Sequence, residues 1–355
     1  MDFPGRRARL AARLSELEID AFLVTRLPNV RYLTGFTGSN AQLVLGREGG
    51  VFLTDGRYTE QSRHEVPDLE RVTYPAFPPA FADAARSLEA HRVGFEATGV
   101  TYRQYRDLAD ADGLDLVPAD GEPERLRWVK EPEEIEMVAQ AQAITDDCYD
   151  AIVGKLAEGM TEREVALEME LTMRQNGADA LAFESIVAFG ESAAEPHHHP
   201  TDRALRPGDC VKLDFGALYR GYHSDMTRTV MFGEPSGELR EIYDLVRAAQ
   251  QAGIDAVRPG IQGGEADAAS RKVIEDAGRG DAFSHSLGHG VGLEIHEGPT
   301  LRSKGEDELP VGAVVTVEPG VYVPGLGGVR IEDMVEITDD GCRPMPRSTR
   351  DLVVL

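Results

Sequence analysis

CVKLDFGALYRGYHSDMTRTVMF, residues 210–232, reads as two β-strands joined across the turn-like LYRGY. Side chains alternate between the faces of a strand, so Val211, Leu213 and Phe215 share one face and Lys212 and Asp214 the other. On the second strand Asp225 shares a face with His223 and Thr227. Two carboxylates can therefore meet on one surface of a hairpin. Two readings fit this segment. The acids are solvated residues at a strand edge, or they lie near the core, where a carboxylate without a partner is costly and a cation is its natural companion.

Three later segments bear on that choice. FSHSLGHGVGLEIHEGP, residues 283–299, places His285, His289 and His296 close together in a chain with only nine histidines, and Gly288 and Gly290 give close backbone access around His289. VVTVEPGVYV, residues 314–323, sets Glu318 into a β-branched run, and GGVRIEDMVEI, residues 327–337, sets Glu332 between Ile331 and Asp333. One imidazole with four carboxylates suits manganese, iron, cobalt or zinc, whereas calcium takes oxygen ligands alone.

Outward from these segments the chain changes texture. Helix-like Leu10–Leu17 alternates with strand-like DAFLVT from Asp20, QLVLG from Gln42 and GVFLTD from Gly50, followed by FADAARSLEAH as helix, RVGFE as strand and TYRQYRDLADA as helix. This pattern predicts a small α/β domain over residues 1–125. DLVPADGEPERLR, with Pro118, Gly121 and Pro123, reads as a linker. From Pro132, Ile135, Val138, Ala141, Ile144 and Cys148 recur at helical spacing. Thr161 and Glu164 form a capping-box pattern, Gly177 is placed to end that helix, and Leu239, Ile242 and Val246 mark another. Residues 126–355 are expected to form an α+β domain with a mainly antiparallel sheet.

Composition excludes several classes. The formal charge of -25 over 355 residues opposes a nucleic-acid partner, and no apolar run approaches the roughly 18 residues that a membrane span needs. The basic start lacks an apolar stretch behind it, and Cys148, Cys210 and Cys342 show no CxxC spacing, so a cytoplasmic location with reduced thiols is expected.

With these motifs in view, the chain resembles the Xaa-Pro peptidases of the pita-bread metallopeptidase superfamily along essentially its whole length. The resemblance implies a creatinase/prolidase-like N-terminal α/β domain, and a pita-bread catalytic domain with a curved, mainly antiparallel sheet. It implies that Asp214, Asp225, His289, Glu318 and Glu332 hold two divalent metals, manganese first with cobalt or zinc as alternatives, and that Asp225 and Glu332 bridge them. Such a pair, about 3.5 to 4 Å apart, can hold a bridging water and deprotonate it to the attacking hydroxide. Glu318 would also shuttle the proton, while His197 of EPHHHP, His285 and His296 would act on substrate and Arg330 would pair with the ligand carboxylates. His198 and His199 stand where the family often has no histidine; an opportunistic surface metal site is the other reading of the triplet. LTDGRYTEQ supplies Asp55, Arg57 and Tyr58, which resemble a substrate-binding motif of aminopeptidases P; the bland reading is that Asp55 caps a helix. The expected activity is that of an aminopeptidase P, cleaving before a proline at the second position of a peptide, with Xaa-Pro dipeptidase (prolidase) as the alternative. Methionine aminopeptidase, metal-free creatinase and a non-catalytic binding homologue are weaker readings, and a homodimer is expected.

Overall fold

A computed structural model describes residues 1–110 and 113–355. The chain divides into two units, Met1–Arg127 and Trp128–Leu355.

The first unit is a six-stranded mixed sheet with helices packed on it. Its strands run in the order Glu70–Tyr74, Gly50–Asp55, Ala41–Gly46, Ala21–Val24, Arg92–Phe95 and Asp115–Pro118. The strand Ala21–Val24 is buried at every residue, as its unbroken apolar run requires. FADAARSLEAH belongs to a helix that starts earlier and stops earlier, Phe77–Ser87. Of TYRQYRDLADA, Tyr102–Ala109 is helical behind a Thr101 capping box, and Ala111 lies outside the described residues. The expected linker is overturned. Asp115–Pro118 pairs in parallel with Arg92–Phe95, and Glu122–Trp128 is a helix. Two anchors explain this: Tyr32 Oη donates to the Leu126 carbonyl, and the buried Arg127 donates to Asn29 Oδ1 at 2.7 Å.

In the second unit every strand pairing among the described residues is antiparallel, in sheets of two, three, three and five strands. The expected helices form as Pro132–Val153, Glu162–Gln175 and Gly237–Ala256, and both arms of the Thr161–Glu164 capping box are made. Gly177 follows the second with φ 101°, a conformation that favours glycine. The alternation read from residues 210–215 holds. Val211, Leu213 and Phe215 pack with Cys148, Val165 and Met169 of the helices, leaving Lys212 and Asp214 on the other face. Val246 and Ile242 likewise cover Val315, Val317, Val335 and Ile337. Each such aliphatic side chain contributes about 1.5–3 kcal/mol on burial. Helices thus insulate one side of the sheets, and the polar side chains converge on the other.

The hairpin departs from the simple reading at its centre. Asp209–Phe215 and Met226–Phe232 pair with Thr227 opposite Asp214, but the ladder then breaks at Gly216 and at Ser224–Asp225 before Ala217–Tyr219 and Tyr222–His223 resume it. A Cβ on Gly216 would stand 1.8 Å from the Ser224 carbonyl oxygen, so the approach requires glycine. Thr145 and Ser224 hydroxyls take the freed Ala217 N–H. Glu318 and Glu332 also fall outside strands, just after Val314–Val317 and just before Asp333–Thr338. Three of the four carboxylates therefore sit at breaks and not, as expected, within strands.

Candidate active site

Asp214, Asp225, His289, Glu318 and Glu332 line one cavity of about 500 Å³, together with His197, His285, His296 and Arg330. His289 is carried on the short strand Gly288–Gly290, where a Cβ on either glycine would meet a facing carbonyl oxygen at 2.0 or 2.2 Å. Its Nδ1 lies 3.0 Å from the Gly290 carbonyl, which can only accept, so the proton is on Nδ1 and the Nε2 lone pair is free. Burial, and then His296, push the imidazole down to about 4, keeping it neutral.

That lone pair faces Asp225 Oδ2 at 3.5 Å and Glu318 Oε1 at 3.4 Å. Acceptors therefore face acceptors. Ligand atoms of Asp225, His289 and Glu332 all lie within 4.8 Å of one another. Burial first, and then Glu332, Asp214 and Glu318, push Asp225 well above the carboxylate range. Burial, Glu318 and Asp214 do the same to Glu332, and burial raises Glu318 to about 8. Two unit charges 4 Å apart repel by about 4 kcal/mol at an effective dielectric constant near 20. Divalent cations would relieve this repulsion and fill the space between lone pairs, and the mixed nitrogen and oxygen donors suit a transition metal.

The ligand set is framed by further groups, of which the sequence did not single out Thr316 or Tyr322. Thr227 Oγ1 donates to Glu332 Oε2 at 2.6 Å and accepts from Arg330 Nε at 3.0 Å. Thr316 Oγ1 donates to Glu318 Oε1 at 3.2 Å. Arg330 is ion-paired with Asp214 and donates to Tyr322 Oη at 2.7 Å. Burial disfavours its charge, yet Tyr322, Asp214, Glu318 and Glu332 hold it protonated. Arginine can only donate, so the single Tyr322 proton goes to His285 Nε2 at 2.8 Å, and His285 Nδ1 donates to the Ser286 carbonyl at 2.8 Å. Both nitrogens of His285 are used, and burial, with Arg330, lowers its imidazole to about 3. His296 packs edge-on to His289 with ring centroids 4.4 Å apart. Of the triplet, His198 is buried with both nitrogens at carboxylates, and His199 is exposed beside Glu184.

Asp55, Arg57 and Tyr58 belong to the first unit. Asp55 caps the turn Gly56–Tyr58, and the Arg57 fork is spent on it through Nε at 3.0 Å and Nη2 at 2.7 Å. That bonding holds Asp55 well below the usual carboxylate range. Tyr58 Oη bonds Ser39 at 2.6 Å. Arg302, by contrast, lines the cavity, and its guanidinium makes no ion pair among the described residues.

The fold and site define a metallopeptidase. Residues 136–339 match the model for metallopeptidase family M24, and residues 6–129 match the creatinase/prolidase N-terminal domain. The chain belongs to metallopeptidase family M24. It is 37% identical over 351 residues to the Xaa-Pro dipeptidase of Pyrococcus furiosus, covering 98% of this chain and 99% of that one. Among solved structures, the Xaa-Pro dipeptidase from Bacillus anthracis superposes with a TM-score of 0.97 at 38% identity, covering 99% and 100% of the two chains. An X-Pro aminopeptidase from Thermotoga maritima MSB8 gives 0.89 at 35%, covering 97% and 100%. No helix among the described residues is long and apolar enough to cross a membrane. The family implies divalent metal, in keeping with the donor set described above.

Proposed function

We propose that this chain is an Xaa-Pro dipeptidase, so that the alternative of the sequence reading replaces the aminopeptidase P first expected. The observation that carries the choice is Arg302. A dipeptidase must receive the free carboxylate that follows proline, and a guanidinium with an unspent fork is the strongest device for that. Arg302 lines the cavity without an ion pair among the described residues, whereas the Arg57 fork is already engaged by Asp55. The relatives point the same way, more of those with a named activity being dipeptidases than aminopeptidases.

In this reading Asp214, Asp225, His289, Glu318 and Glu332 hold two divalent ions, manganese foremost. When bound, these ions polarise the scissile carbonyl and acidify a water. Glu318 carries the proton: Thr316 donates to Oε1, while Oε2 has no partner among the described residues and is free to take a proton from the attacking water and pass it to the leaving proline nitrogen. His296 and His197 donate to the oxygen that gains charge. His285, with both nitrogens committed, holds Tyr322 and through it Arg330, in place of the direct role on substrate first expected of it. Asp55, Arg57 and Tyr58 remain candidate substrate-binding residues.

The test compares rates on an Xaa-Pro dipeptide and an Xaa-Pro-Xaa tripeptide. The dipeptide should be cleaved faster. Arg302→Ala should raise KM for the dipeptide roughly tenfold or more, the worth of a charge-assisted pair, and leave KM for the dipeptide amide nearly unchanged. Preference for the tripeptide restores the aminopeptidase P reading.

A further inference from the structure

His197 stands on a segment with almost no ladder of its own. Between the turn Gly190–Ala194 and the strand Asp209–Phe215 the chain forms no helix or strand, and a single bridge joins Ala204 to Thr161. Thr201, Arg203 and Leu205 find backbone partners in residues 159–163, and the backbone groups nearer His197 need side chains or water. Two buried ionic side chains meet them here, and neither lines the cavity.

Lys212, wholly buried on the hairpin strand, points its ammonium at three backbone carbonyls: Ala193 at 3.1 Å, Glu195 at 2.5 Å and Pro196 at 3.5 Å. It has no carboxylate partner within ion-pair distance among the described residues. An ammonium taken out of water is costly, and an apolar side chain of similar length would fill the same space more cheaply. The three carbonyls are what this charge secures. Arg330 Nη1 reaches the same Pro196 carbonyl at 3.3 Å.

Glu162 acts on the other side of His197. It is the first residue of the helix Glu162–Gln175 and is wholly buried. Its Oε1 accepts from Phe189 N at 2.9 Å, and its Oε2 accepts from Thr201 N at 2.9 Å, Thr201 Oγ1 at 2.6 Å and His198 Nε2 at 2.9 Å. His198 Nδ1 in turn lies 2.9 Å from Glu195 Oε2. The residues flanking His197 are therefore tied down: Pro196 by Lys212 and Arg330, His198 by Glu162.

We propose that Lys212 and Glu162 are positioning residues that bracket His197 and fix its ring in the cavity. This rests on His197 acting on substrate, as proposed above. The test is a pair of double-mutant cycles in the metal-loaded enzyme, with kcat/KM on an Xaa-Pro dipeptide, metal content and melting temperature measured for each variant. Lys212→Met and Glu162→Gln should each lower kcat/KM about tenfold or more with metal content unchanged. On a His197→Ala background each should lower it by less than about twofold, because residues that act as a unit are not additive. Multiplicative effects, near-normal activity of both variants, or loss of metal in both would overturn the inference. Should Lys212→Met fail to fold, Thr201→Val, which removes one donor to Glu162, carries the same cycle. A fully active His197→Ala enzyme would sink the underlying role of His197. An impaired His197→Ala with multiplicative doubles would sink only the bracketing.

Discussion

Thr227→Val tests whether the carboxylate cluster is organised from behind. Thr227 is fully buried, lies opposite Asp214 in the ladder, and uses its hydroxyl twice: it donates to Glu332 Oε2 at 2.6 Å and accepts from Arg330 Nε at 3.0 Å. Valine keeps the shape and loses both bonds. A hydrogen bond to a charged group contributes about 1.5–3 kcal/mol, so about 3–6 kcal/mol is the ceiling. The net effect should be smaller, because Arg330 keeps Asp214 and Tyr322 and because a bound metal ion would neutralise Glu332. Groups that orient metal ligands typically govern a ten- to hundredfold change in affinity, about 1.4–2.7 kcal/mol. We expect Thr227→Val to weaken manganese binding by that factor, as read by competition with a chelator of known affinity, and Thr227→Ser to restore it. A valine variant within twofold of wild type in metal affinity would refute the idea that this hydroxyl orients Glu332 for a metal.

Exhaustive chelation should abolish hydrolysis and added manganese or cobalt should restore it; full activity in verified metal-free protein contradicts the proposed centre. In metal-free protein the raised Glu318 carboxyl stabilises the fold below its unfolded value near 4.5, and this stability is lost as pH rises toward about 8. Melting temperature without metal should therefore fall across that window, and the increment on adding manganese should be larger at pH 8 than at pH 5. Glu318→Gln should keep the fold while turnover drops on the order of a hundred- to ten-thousandfold, and near-normal turnover with metals confirmed bound would remove Glu318 as the proton carrier. Light scattering at micromolar concentration should find a dimer, and a monomer alone contradicts that expectation.

Much of the site is legible because chemistry out of place stands out against a regular pattern. Glu318 in a β-branched run and three histidines within a dozen or so residues need no coordinates to be noticed. What escaped depends on contacts between segments far apart in sequence. Tyr322 reads as an ordinary strand aromatic until His285 and Arg330 are seen on its hydroxyl. Glu162 reads only as a first-turn acid suited to a helix N-terminus, and its partners lie at 189, 198 and 201. The supposed linker failed for a related reason: Leu116 and Val117 are too short an apolar run to declare a strand, and it is pairing with Val93 and Gly94 that makes them one. The proposed choice between two substrates rests on which arginine is unspent. LTDGRYTEQ contains both Asp55 and Arg57 but cannot show that one consumes the other.

The position of the acids at strand breaks also has a physical sense that periodicity hides. Within a regular strand a side chain stands perpendicular to the sheet, and residues on neighbouring strands keep about 4.5–5.5 Å between Cβ atoms. Several carboxylates cannot aim at one point under that constraint. Breaking the strand frees the aim but exposes backbone groups that need partners. Here those groups are given to the segments that carry the other candidate ligands. Glu318 N donates to the Leu287 carbonyl, two residues from His289, and Glu332 N donates to the Thr227 carbonyl, two residues from Asp225. The backbone thus ties Glu318 to His289 and Glu332 to Asp225 before any side chain binds an ion. Convergence of the donors is built into the fold, so repulsion among the carboxylates is borne by the whole sheet and is available to be relieved by a cation of the right charge.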